Sequence, residues 1–390
     1  MTSQRARGFT LIEMMIAMAM LAAVVSAAMA MVIGMNASSR RVRIVGDTQT
    51  GARQGLEQLA AEIRAAGGGI STGQIGIAPG GGAARRMPVI YSGPNVTITE
   101  PGGQTIVTNS IFIITSDPTA IGYDVAGNGT MGVVTAASTG TPLTVVCYDR
   151  TGASVDCKDT LIPAALPPLI VGDFRNAVFL SPTNLQAPAG VPPTQQLDYA
   201  EKASNAYSPD PKAPFGFLPG ANLLRARVTH WYLRQASATD TPQLVRSFPT
   251  LTTTALGAAC APGDIPFIDE TNMNIGTPPV GTLMGTAPIE SLQMRFKVDP
   301  AGSDNPAQFT MLNTIGVCDT TVPATVREVR LQVVSRTSSA DLKGATTDQQ
   351  VAYSTPGFEG TTPSATTQDA YPRRAFSLTV VPRNVQGVRL

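Results

Sequence analysis

Glu13 is the sole ionisable side chain in a 27-residue apolar run from Phe9 to Met35, which makes it the first candidate for chemistry in the chain. A carboxylate inside an apolar span costs about 2.5 to 3.5 kcal/mol on insertion scales, so such a group signals function and needs a cationic partner. The other candidates are four cysteines, Cys147, Cys157, Cys260 and Cys318, and a single histidine, His230. Cys147 and Cys157 flank Tyr148-Asp149-Arg150-Thr151-Gly152, a hairpin-like turn that would set them nearly opposite on adjacent strands. The expected disulfides are therefore Cys147–Cys157 and Cys260–Cys318; four free thiols, the alternative, would require a reducing compartment.

Metal and catalytic chemistry find little support. No Cys-x-x-Cys pair exists and the one His is remote in sequence from every Cys, which disfavours zinc. Asp124 and Asn128 have a faint calcium-loop spacing, but one carboxylate is too few, and a turn is the better reading. His230 sits in the aromatic run His230-Trp231-Tyr232, where a structural role is expected. Nucleophile-elbow, phosphate-cradling and metal-helix motifs are missing from the sequence. The expectation is a protein with no catalytic residue, no metal and no cofactor, with a membrane-bound hydrolase as the enzyme alternative.

Composition bounds the remaining classes. Of 390 residues, 43% are hydrophobic and 14% charged, against roughly 25% charged in an average soluble domain. The net charge of +1 leaves no basic excess to release phosphate counterions, so nucleic acid is not an expected partner. Eight of the 14 Met fall within residues 1–35, so the apolar excess is concentrated at one end.

The elements that must position Glu13 follow from that end. At about 1.5 Å per residue, roughly 20 residues span a bilayer, so 9–35 reads as a transmembrane helix after a basic leader, 1–8, carrying Arg5 and Arg7. A secretory signal peptide would have an apolar stretch about half as long, and a plain anchor would leave Glu13 unexplained. The positive-inside count is close to a tie between Arg5 and Arg7 on one side and Arg40, Arg41 and Arg43 on the other. Beyond Met35, Val45, Ala52, Leu56, Leu59 and Ile63 recur with helical period, with Glu57, Glu62 and Arg64 off the stripe, until Gly67-Gly68-Gly69. This predicts an amphipathic continuation over 36–66 and one helix from 9 to 66.

Residues 70–390 read as a β-rich head. Residues 292–298, 329–333 and 376–380 alternate apolar and polar without a fault, as strands with one buried face do, and 110–115, 143–148 and 226–233 are further strand candidates. The Pro-, Gly-, Ser- and Thr-rich stretches 67–88, 182–219, 276–288 and 346–372 read as surface loops, with 182–219 as the best place for a subdivision of the head. The fold class is α+β: a long N-terminal helix packed on an antiparallel sheet, with extra β-rich loops or a subdomain.

The N-terminal residues carry a resemblance. Arg7-Gly8-Phe9-Thr10-Leu11-Ile12-Glu13 at the head of a long apolar helix resembles the processing site of type IV pilins and type II secretion pseudopilins. The resemblance implies that a prepilin peptidase cuts between Gly8 and Phe9 and methylates the new Phe9 amine. It also implies that Glu13 pairs with the amine of a neighbouring subunit to set register during assembly. Many major pilins carry a Pro in the membrane half of this helix; here the first Pro is Pro79.

Residues 373–384 are similar to the C-terminal segment of PilW-like minor pilins, and 226–235, 244–246 and 289–299 fall in the order those proteins use. Major pilins usually end in a disulfide-closed loop, whereas the last Cys here is Cys318, which favours a minor subunit. The resemblance implies a minor pilin that primes type IV pilus assembly and sits at the tip. Its implied partners are other minor pilins, the major pilin, the inner-membrane assembly platform and the prepilin peptidase, with a large tip adhesin as a further candidate. The implied location is the inner membrane with a periplasmic head, then the pilus tip. A J-type pseudopilin of type II secretion, or a tip adhesin or DNA-uptake subunit, is the alternative.

Overall fold

The computed structural model describes residues 10–68, 74–77, 85–99, 105–116, 131–135, 142–148, 152–159, 162, 168–172, 177–199, 220–235, 240–249, 282–299, 305–316, 325–336, 352–355, 364–368 and 373–383. It opens with α1, Leu11–Ala65, a helix of 55 residues and so about 83 Å long. Thr10 caps its start, and its end is set by Gly67, whose φ of 69° is left-handed and suits a residue without a Cβ. The Gly67 N–H then donates to Ile114 O at 2.9 Å, so the chain leaves the helix already bonded to the head.

The two halves of α1 live in different surroundings. From Leu11 to Met35 the large apolar side chains are 47% to 79% exposed, and an 18-residue window there has a mean hydropathy of 2.5. From Thr48 onward a stripe of Ala52, Leu56, Leu59, Ala60, Ile63 and Ala66 is buried at the spacing that puts residues on one helix face. Gly51 and Gly55 lie on the same buried face, letting the helix backbone approach the sheet.

The strands run β1 (Gln74–Ile77), β2 (Arg85–Pro88), β3 (Ile90–Ser92), β4 (Val96–Thr99), β5 (Thr105–Thr108), β6 (Ile111–Ser116), β7 (Met131–Val134), β8 (Leu143–Tyr148), β9 (Ser154–Val155), β10 (Leu169–Gly172) and β11 (Ala177–Leu180). They continue with β12 (Pro182–Leu185), β13 (Gln195–Tyr199), β14 (Asn222–Arg234), β15 (Gln243–Ser247), β16 (Thr282–Asp299), β17 (Thr310–Leu312), β18 (Thr325–Arg336), β19 (Ala352–Thr355), β20 (Ser364–Gln368) and β21 (Arg373–Val380).

A main sheet of order β3-β6-β14-β15-β16-β18-β21 is antiparallel throughout, and α1 lies across β16, β18 and β21. This is the helix-on-sheet arrangement expected, and the six predicted strands overlap β6, β8, β14, β16, β18 and β21. A second group gathers β7, β8, β9, β12 and β13 around β8 and reaches the main sheet through β14.

Two apolar cores result. One joins the α1 stripe to the main sheet, and the other holds Leu143, Val145, Cys147, Leu180, Leu185 and Leu197. Strands β10 and β11 divide them: Ile170 and Phe179 face the first core, while Leu169, Val171, Val178 and Leu180 face the second. Their near-continuous apolar sequences, Leu-Ile-Val-Gly and Ala-Val-Phe-Leu, are what burial on both faces requires.

The stretches expected as loops are corrected in part. Residues 67–88 contain β1 and β2, 182–219 contain β12 and β13, 276–288 contain the start of β16, and 346–372 contain β19 and β20. The prolines that suggested loops sit where a strand tolerates a missing N–H: Pro88 ends β2, Pro182 begins β12, and Pro288 pairs with Gln243 beside a register shift.

Candidate assembly site

Gly8 and Phe9, the expected cleavage and methylation positions, lie outside the described residues. Glu13 lies at the third position of α1, where its carboxylate completes a capping box. Thr10 N–H and Thr10 Oγ1 each donate to Glu13 Oε2 at 3.0 Å, and Glu13 N–H donates to Thr10 Oγ1 at 3.3 Å. The Glu13 carboxylate of an isolated subunit therefore has partners within its own helix end, which also favours a negative charge there. Glu13 stays exposed, so a neighbouring subunit's cation can reach it without opening the fold.

What aims this end of the helix is its docking at the other. Glu62, off the apolar stripe in sequence, is a side chain only 15% exposed that reaches into the head. Trp231 Nε1 donates to Glu62 Oε2 at 2.6 Å and Arg246 donates to Glu62 Oε1 at 2.8 Å. Arg53 stacks over Phe376 of β21 at 5.5 Å, and Arg383 N–H donates to Arg64 O. Sequence pattern alone put Glu62 off the apolar stripe and gave no sign of this contact, because its partners come from β14 and β15 far along the chain.

Glu62→Ala would leave the Trp231 N–H and the Arg246 guanidinium without that acceptor, an expected cost of about 2 to 3 kcal/mol. Hydrogen exchange should then accelerate along the docked half of α1, residues 48–65. Unchanged exchange there would refute the clamp. Glu62→Gln should recover part of the protection by keeping the acceptor for Trp231.

The Cys147–Cys157 bridge is present, with a Cα–Cα distance of 5.3 Å. The expected geometry is corrected in detail. Val155, at the end of β9, stands opposite Cys147, while Cys157 lies two residues beyond it, in a 3-10 turn. Buried Gln195 of β13 holds that turn in place: its Oε1 accepts from Cys157 N–H at 2.8 Å, and its Nε2 donates to Asp156 Oδ1 at 2.7 Å. Cys260, Cys318, Asp124 and Asn128 lie outside the described residues, so the second disulfide and the calcium-like loop have no structural account.

The bridge closes a short loop, with the two Cys 10 residues apart, and its removal in Cys147→Ser/Cys157→Ser is expected to cost about 3 kcal/mol. A urea midpoint unchanged from wild type would contradict this.

His230 is the centre of a stacked aromatic column, Tyr91-Phe112-His230-Tyr232, with ring centroids 5.1, 4.0 and 4.6 Å apart. Burial pushes its pKa from 6.5 down to about 3, so the ring is neutral in ordinary buffers, and burial raises the Tyr91 and Tyr232 hydroxyls above their usual range. Gly93 closes the column: a Cβ there would overlap Ser110 Oγ and Phe112 and come within 3.2 Å of His230 Nε2. Among the described residues no group of three or more His, Cys, Asp or Glu is arranged to hold a metal ion.

A long helix, exposed over its first half and clamped on an antiparallel sheet over its second, with an acid near its N-terminus, fits the pilin-like resemblance of the N-terminal residues. Two family models match the chain: the prokaryotic N-terminal methylation motif over residues 3–29, and the type IV pilus-assembly protein W family over residues 230–384. The two matches support a PilW-type pilin-like protein related to type IV pilus assembly. The second match runs from the middle of β14 to just past β21, and the second core lies wholly outside it. No curated protein and no solved structure matches the chain.

Proposed function

We propose that this chain is a minor pilin that primes type IV pilus assembly and sits at the pilus tip in a complex with other minor pilins. The observation that carries the reading is the division of α1. The described side chains from Leu11 to Arg43 are exposed in the isolated subunit, whereas the stripe from Thr48 to Ala66 is consumed by its own head. An apolar surface that long needs a bilayer before assembly and neighbouring helices afterwards. The second core of the head, outside the matched family region, favours a terminal subunit over one stacked along a shaft.

In this role the prepilin peptidase cleaves between Gly8 and Phe9, and the assembly platform draws the subunit from the inner membrane, with its head in the periplasm. The major pilin and other minor pilins then pack against α1, and a tip adhesin is a further candidate partner. The protein acts by assembling and has no catalytic residue. Deletion of the gene tests the reading: pili should vanish or become sparse and return on complementation. Fully piliated cells that lose only attachment would instead favour an adhesin, and loss of secretion with normal pili would favour a J-type pseudopilin.

A further inference from the structure

We infer that Arg40, Arg41 and Arg43 form a cationic collar that binds the phosphates of anionic lipids in the headgroup layer on the head side of the membrane, and so fixes how deeply α1 is inserted. The inference rests on the membrane-inserted stage of the function proposed above. Between the end of the apolar run at Met35 and the first helix residue buried by the head, Thr48, α1 crosses 12 residues, about 18 Å, belonging to neither the span nor the head. Arg40 and Arg43 are exposed in this stretch, and Arg43 has a loose contact with Asp47, 3.9 Å between side chains that are 86% and 78% exposed. Among the described residues Arg40 has no ion-pair partner.

The helix arranges these three positions as a collar rather than a point site. Successive residues turn by about 100°, so positions 40, 41 and 43 fan over roughly 160° of the helix within about 4.5 Å of its length. A fan of cations at one depth suits a plane of phosphates, each contact resembling the guanidinium–phosphate pairing that Arg favours. Counting Asp47, the stretch carries three positive charges and one negative.

The spacing to Glu13 supports the same depth. Glu13 and Arg40 are 27 residues apart, about 40 Å along the helix, whereas a hydrocarbon core is about 30 Å thick and a whole bilayer about 40 to 45 Å. With the collar in one headgroup layer, Glu13 lies at the opposite one and not at mid-membrane. The carboxylate then waits in a polar layer, held by Thr10, and is desolvated only when the subunit enters a filament.

Native mass spectrometry of the full-length protein, released from mixed micelles holding equal phosphatidylglycerol and phosphatidylcholine, tests the collar. Wild type should retain phosphatidylglycerol preferentially, each Arg contributing about fivefold in affinity and all three on the order of a hundredfold. The triple variant Arg40→Gln/Arg41→Gln/Arg43→Gln should lose the preference, while Arg64→Gln, in the docked half of the same helix, should keep it. Equal retention of both lipids by wild type, or a preference surviving in the triple variant, would overturn the inference. So would displacement of the lipid by millimolar inorganic phosphate, which would mark a free-phosphate site. A wild-type protein that alkaline carbonate extracts from membranes would overturn the membrane-inserted stage itself, and the collar with it.

Discussion

Glu13→Ala is expected to leave membrane insertion and processing intact and to reduce incorporation into pili by at least a hundredfold. A neighbour's methylated amine buried in a filament core without its carboxylate would be an uncompensated charge, at about 3 to 5 kcal/mol. The structure adds a second function of the same side chain, because Glu13 also closes the capping box with Thr10. Alanine removes both. Glu13→Gln separates them: a Gln at this position can still accept from Thr10 N–H, so the helix start persists, but its charge is gone. Under the assembly role Gln should fail nearly as badly as Ala. The readout is the amount of this chain sheared from cells with their pili, against the amount retained in membranes. If Gln enters pili like wild type, the carboxylate charge is not what docks the subunit, and the capping box is the reason for Glu13.

Acidification should destabilise the head through His230. A base whose pKa falls on folding stabilises the native state fully only above its unfolded value, 6.5, and that stability is lost as pH drops toward the folded value of about 3. Between pH 7 and pH 5 the unfolded chain takes up a proton that the native column refuses, a loss of about 2 kcal/mol, growing to about 4 kcal/mol near pH 3. Urea denaturation of the full-length protein in detergent at pH 7 and pH 5 measures the difference. Other groups titrate as well, so the decisive comparison is His230→Phe, which keeps a ring between Phe112 and Tyr232 but cannot be protonated. Its loss between the two pH values should be smaller than that of wild type by about 2 kcal/mol. An identical loss in both would show that His230 is not the acid-sensitive group.

The Trp231–Glu62–Arg246 clamp and the His230 column occupy opposite faces of one strand, since residues 230 and 231 of β14 point to opposite sides of the sheet. One face fixes the long helix to the head and the other fills the core behind it. A helix that must present Glu13 about 75 Å away from Glu62 gains its aim from such a joint.

The sequence by itself determined what is local or periodic. The apolar run with one acid, the stripe from Ala52 to Ile63, the alternation in β16, β18 and β21, and the short-range Cys147–Cys157 bridge were all legible, because each depends on neighbours within a few residues or one helix face. Tertiary structure alone decided the rest. Glu62 became a half-buried anchor through partners 169 and 184 residues away, and no periodicity encodes a contact at that separation. Strands β12 and β13 looked like loop because Pro and Gly mark strand ends as readily as turns, and only the pairing of β12 with β13 and of β13 with β8 distinguishes the two. The second core likewise exists only once β10 and β11 are buried on both faces, since a run of four apolar residues does not say which core each residue will face. The lone acid at the start of the chain could be read as a site from its isolation, but that it already has a partner in Thr10 is a matter of geometry.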